Sequence, residues 1–152
     1  MPIRESDGQV IAEKAASETG APAIAWWVQM IVGLGALLMT AGAVIAVIHP
    51  AMLVSPHDEI NGAVRIYAGY LFSRNLALAL VLLAALVFRS KRNLHTLMVL
   101  IAFMQFLDVA LDCLESRWAV IPGVAVLGVL FLIGASAISG APFWKRTAWT
   151  EH

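Results

Sequence analysis

Cysteine is nearly missing from the 152-residue chain: Cys113 is its one thiol. That excludes an intrachain disulfide, a CxxC redox pair and a cysteine-based zinc site. Charge is scarce too. Asp, Glu, Lys and Arg make up 13% of the residues, roughly half of what a soluble domain carries. Ten Lys+Arg stand against ten Asp+Glu, so no basic field exists to draw nucleic acid. Glycine-rich phosphate loops are absent. Ser73 and Ser116 have no neighbouring His to act as a base, which leaves a hydrolase triad unsupported. His49, His57, Asp58 and Glu59 are metal-capable types. No His-x-x-x-His or similar spacing joins them, however, and Pro50 and Pro56 mark a turn-rich connection. Neither a metal site nor a cofactor is expected.

What fills the chain is apolar. Hydrophobic residues account for 61%, and the mean hydropathy is +0.83. A water-soluble globule of this length would need far more polar surface, and the length suits a single domain. The composition therefore points to a small integral membrane protein.

Charge-free runs locate the spans. No Asp, Glu, Lys or Arg falls between Glu18 and Asp58, or between Arg117 and Lys145. Each run exceeds the roughly 20 residues that cross a hydrocarbon core. Four helices are expected, at about 25–48, 60–88, 94–115 and 118–138. The first stops where His49-Pro50 makes continuation costly. A basic turn, Arg89-Ser90-Lys91-Arg92-Asn93, joins the second to the third.

Ahead of them, residues 1–23 form a polar segment. Residues 1–20 hold no apolar h-region, so no cleavable signal is expected. Ser6 and Gln9 have capping-box spacing, which allows either a short surface helix over Val10–Ala16 or a disordered tail.

Basic residues flanking the spans set the orientation. With four helices, one side holds Arg4, Lys14, Arg89, Lys91, Arg92, Lys145 and Arg146, and the other holds only Arg65 and Arg117. The expected architecture is an all-α integral membrane four-helix bundle, up-down-up-down, with both termini cytoplasmic. The bundle occupies 24–139, and a cytoplasmic tail of 140–152 follows. A multi-pass protein of the plasma or inner membrane results. Trp26, Trp27, Trp118 and Trp144 fit interfacial belts. Residues 143–152 are expected to be interfacial or disordered rather than membrane-spanning, Thr147–His152 to be dispensable for folding, and His95 to be solvated at its interface. Helices 1 and 4 carry Gly33, Gly35, Gly42, Gly123, Gly128 and Gly134, which let backbones approach closely in lipid.

Helices 2 and 3 hold the chemistry, because ionisable residues at membrane depth cost roughly 2.5–3.5 kcal/mol each and mark functional sites by default. Gln105, Asp108, Asp112 and Glu115 are spaced 3, 4 and 3. At about 100° per residue they share a sector of about 80°. On helix 2, Tyr67, Tyr70 and Arg74 form a second stripe, with Asn75 about 100° away. Arg74 precedes Arg89 by 15 residues and Asp108 follows Arg92 by 16, so both lie at nearly one depth. A buried Arg74–Asp108 pair is expected, with a polar cluster of Arg65, Tyr67, Tyr70, Arg74, Asn75, Gln105, Asp108, Asp112 and Glu115 around it. Three readings stay open: a register device between two helices, a pocket for a lipophilic molecule, or a proton or ion pathway.

The stretch Arg65-Ile-Tyr-Ala-Gly-Tyr-Leu-Phe-Ser-Arg74-Asn75-Leu-Ala-Leu-Ala-Leu, the basic turn, and Phe106-Leu107-Asp108-Val-Ala-Leu resemble the small four-helix DoxX-like membrane proteins. The likeness is closest to a domain-of-unknown-function branch and covers about 90 residues. Members often carry Arg-Asp or Arg-Glu in helix 2 and Gly-Asp in helix 3; here Asn75 stands for the acid and Leu107 for the glycine. The resemblance implies the four-span topology and an association with quinone or thiol redox systems. Cys113 alone provides no thiol pair for such chemistry.

Two functional classes follow. One is a non-catalytic membrane protein, either an accessory subunit partnered by another membrane protein or a binder of a lipophilic small molecule. The other is a small intramembrane enzyme, isomerase-like, using Asp108 or Asp112 as general acid or base. Arg74 would hold Asp108 as an ionic partner, so Asp112 is the better candidate.

Overall fold

A computed structural model of the chain describes residues 24–53 and 59–150. The expectations for residues 1–23, His57 and Asp58 lie outside the described residues. Four helices, each long and apolar enough to cross a membrane, make up most of the rest: α1 (Trp26–Ile48), α2 (Gly62–Val87), α3 (Lys91–Leu114) and α4 (Ile121–Ser139). A 3-10 turn at Pro50–Leu53 follows α1, and a short helix α5 (Thr147–Thr150) ends the described chain. No strand occurs among the described residues.

The helix boundaries have local causes. α1 stops at His49, one residue before Pro50. Asn61 caps α2, its Oδ1 accepting from the Val64 N–H at 3.2 Å. At the far end of α2, Arg89 adopts the left-handed region with φ 52. Its N–H donates to the Leu86 carbonyl at 3.0 Å, and the Ser90 N–H donates to that of Ala85 at 3.0 Å. This is the two-bond Schellman closure. The turn is therefore only Phe88–Ser90, and Lys91, Arg92 and Asn93, expected in the turn, form the first turn of α3. α3 ends the same way: Ser116 has φ 57, its N–H reaches the Cys113 carbonyl, and the Arg117 N–H reaches that of Asp112 at 2.8 Å. α4 begins at Ile121 rather than Trp118. Pro122 occupies its first turn, where a missing N–H costs nothing.

Inside the spans, polar side chains turn back on their own helix. Thr40 Oγ1 donates to the Ala36 carbonyl at 2.8 Å, and Ser73 Oγ to that of Gly69 at 3.1 Å. With no water in hydrocarbon, such i−4 bonds satisfy the hydroxyls.

α1 packs chiefly on α2 and α3 chiefly on α4, while α2 with α3 and α1 with α4 meet less extensively. The two hairpins share one core. It draws Val28, Val32 and Ala36 from the first half of α1 and Leu82 and Ala85 from the second half of α2. Leu94 and Met98 come from the first half of α3, and Phe131 and Ala135 from the second half of α4. Glycine sets how close these helices come. A Cβ on Gly35 would collide with the Phe131 ring, and one on Gly134 with Met98 Cε. Gly33, Gly42 and Gly123, by contrast, face open space.

The tail corrects two expectations. His95 is buried, not solvated. The Trp149 ring packs edge-on against it, centroids 4.7 Å apart, and the Trp149 Nε1–H donates to the Phe143 carbonyl at 2.7 Å. Ala148 is buried as well. Residues 143–149 thus fold back on the bundle, because an aromatic ring and a small apolar residue gain contact there that water would deny them.

Two outcomes follow for stability, read by SDS-induced unfolding in detergent. Gly35→Ala costs about 1–3 kcal/mol because the core ring must move, whereas Gly33→Ala is neutral or gains about 0.5–1 kcal/mol. Deleting Thr147–His152 lowers the unfolding midpoint, and Trp149→Ala reproduces about 0.5–1.5 kcal/mol of the loss. An unchanged midpoint on deletion would show that the tail contributes nothing.

Candidate functional site

Arg74 lies near the middle of α2, and its Nη2 donates to Asp108 Oδ2 of α3 at 3.2 Å. The Arg74 Nε–H donates to the neighbouring Asn75 Oδ1 at 3.3 Å. The guanidinium thus holds one acid on the next helix and one amide on its own. The pair is not buried, however: the two side chains retain 40% and 30% exposure. Its surroundings are exposed apolar and aromatic groups, with Tyr67 and Tyr70 on α2 and Leu107 and Leu111 on α3.

The wider polar cluster expected between the second and third helices does not form, and its members part in five directions. Gln105 turns toward α4, where its Cβ and the Phe106 ring stand against Gly128. Asp108 faces α2. Asp112 is buried and points back to the α3–α4 connection, its Oδ1 3.2 Å from Arg117 Nη1. Glu115 sits exposed at the C-cap of α3. Arg65 lines a separate groove of about 350 Å³ between the end of α1 and the start of α2, with Ile48, Pro50 and Gly69.

The cause of the split is backbone geometry. α2 and α3 touch sparingly, so a stripe of about 80° along α3 reaches α4, α2 and the loop in turn rather than one shared cleft. The Schellman closure of α3 then assigns Asp112 its partner. Because the Arg117 N–H is bonded to the Asp112 carbonyl, the two side chains start from one another's neighbourhood. An acid and a base five residues apart across a helix end were the available signal.

Arg117 also makes a contact that depth matching had no means to anticipate. Its Nη2 donates to the Met52 carbonyl at 3.2 Å. One guanidinium therefore links the α3–α4 connection, the end of α3 and the 3-10 turn after α1.

Chemically, Asp108 and Asp112 are each engaged by one arginine. Among the described residues no group of three or more His, Cys, Asp or Glu could hold a metal ion. The arrangement can fix helix register and present one half-covered charge pair to whatever lies against the α2–α3 face.

That exposure sets the energetic expectation. A fully buried pair would cost roughly 3–5 kcal/mol when one partner is removed, but interhelical polar contacts in membrane proteins are worth about 0.6–1.7 kcal/mol. In a double-mutant cycle on SDS-induced unfolding, Arg74→Ala and Asp108→Ala together should cost less than their sum by about 0.5–1.7 kcal/mol. Additive costs would mean that the two side chains are uncoupled.

Comparison with family models, with curated proteins and with solved structures finds no match to this chain, so what it does has to be read from this geometry.

Proposed function

We propose that the chain is a non-catalytic, multi-pass integral membrane protein that works as an accessory subunit, its α2–α3 face docking against a span of another membrane protein. The observation that carries this reading is the Arg74–Asp108 pair, 40% and 30% exposed on the outside of the bundle near mid-span. Ionisable groups in transmembrane helices face a protein interior or a water-filled cavity, because hydrocarbon solvates them at high cost. A partner helix over Tyr70, Arg74, Asp108 and Leu107 would supply that cover.

The rest of the reading is coherent with the sequence. The spans alternate in direction, up-down-up-down; the shared core, built from the first halves of α1 and α3 and the second halves of α2 and α4, supports this. Both termini are cytoplasmic and the membrane is the plasma or inner membrane, on the bias of Lys and Arg toward one side. Kinship with the DoxX-like proteins rests on Arg74-Asn75 and Asp108, which face one another here.

A second reading, binding of a lipophilic small molecule, draws on the groove at Arg65. Acid–base catalysis is weakened, since Arg74 and Arg117 occupy Asp108 and Asp112. The same pairing weighs against a proton or ion pathway.

Photo-crosslinking in native membranes tests the subunit reading. A photoreactive residue at Tyr70 or Leu107 should capture a discrete protein, while one at Leu37, exposed on α1, should capture lipid alone. Lipid adducts alone at all three positions would sink the proposal.

A further inference from the structure

The tight turn between α2 and α3 holds a second feature that the docking face does not use. The last turns of α2 and the first turns of α3 border an open groove of about 380 Å³, the lower end of the range for small-molecule sites. Its composition is divided. Val81, Phe88 and Leu97 form an apolar wall, and Ser90, Arg92 and Asn93 form a polar end. Arg89 and Lys91 flank Ser90 in the chain, which makes four consecutive residues with three positive charges.

Among the described residues those charges have no acidic counterpart. Among the described residues the ion pairs are Arg74–Asp108 and Arg117–Asp112, and neither involves the turn. Ser90 makes no capping hydrogen bond to α3, so the first-turn N–H groups keep their partial positive charge at this end. The turn also lies where two spanning helices meet, at the depth of the headgroups. Phe88 and Val81 remain exposed below it. A positive, hydrogen-bonding end at headgroup level above an apolar wall at acyl-chain level complements one molecule in both parts: an anionic phospholipid.

We propose that this groove is a binding site for a single anionic phospholipid. Arg92 and Ser90 hold the phosphate, and Val81, Phe88 and Leu97 hold the upper part of one acyl chain. The arginine is suited to the role because its planar fork offers paired donors to phosphate oxygens. The site depends on the spans but not on the proposed docking face, so it stands or falls separately from the subunit reading.

The test is native mass spectrometry of the full-length protein, titrated in detergent with phosphatidylglycerol or with phosphatidylcholine of the same acyl chains. One phosphatidylglycerol should be retained per chain, at least fivefold more tightly than phosphatidylcholine. Arg92→Gln should weaken it about fivefold, as expected for one cation near an anionic headgroup, and Arg92→Lys should recover part of the loss. Ala84→Trp fills the groove while leaving every charge in place, and should abolish the selective binding. Circular dichroism confirms that each variant is folded. Equal retention of the two lipids would overturn the proposal. Unchanged binding by Ala84→Trp would do so as well, since it would reduce the effect to diffuse attraction by the basic turn. Inorganic phosphate displacing the lipid at millimolar concentration would show that the site takes the free anion, which also contradicts a lipid site.

Discussion

Hydrocarbon offers no hydrogen bonds and no hydrophobic drive between helices, and the architecture follows from that pair of constraints. Backbone groups close within α1 to α4, and hydroxyls such as those of Thr40 and Ser73 close onto the same helices. Cohesion is then left to contact between close surfaces. Phe131 meeting Gly35, and Met98 meeting Gly134, are where this chain achieves it. A methyl group at Gly35 would displace the Phe131 ring, whereas one at Gly134 would meet the flexible end of Met98, so the closer constraint is at Gly35.

The end of the bundle away from this core is tied differently. There the buried residues include the small Ala43, Ala46 and Ala68 together with Asp112, with Met39 and Leu127 as the larger ones. Arg117 supplies the connection by reaching Asp112 and the Met52 carbonyl at once. One end is joined by packing and the other by a single cation.

Four spans were legible in the sequence, two as runs without charge and two as long apolar stretches either side of a basic turn, because neither pattern needs tertiary context to be recognised. The Arg74–Asp108 contact was legible for a related reason: rise per residue along two helices joined by a short turn fixes depth. Burial was not legible, since depth says nothing about the angle between helices or how far they part. The same gap hid the fate of Asp112. The left-handed Ser116 returns the chain so that Arg117 meets it across the helix end. Trp149 escaped notice because it lies outside both the spans and the belts, although its ring completes the surroundings of His95. Boundaries at Lys91 and Ile121 shifted by three residues for local reasons, a left-handed Arg89 and a proline in a first turn.

The uneven distribution of the core has a consequence for how the bundle's two ends are closed. The largest fully buried side chains, among them Leu82, Leu94, Met98 and Phe131, gather over one half of the bundle's length, while the other half buries Ala43, Ala46 and Ala68 beside Met39 and Leu127. Interlocking of large side chains is therefore denser toward the α2–α3 turn, whereas closure at the far end leans on Arg117 and its two partners, Asp112 and the Met52 carbonyl.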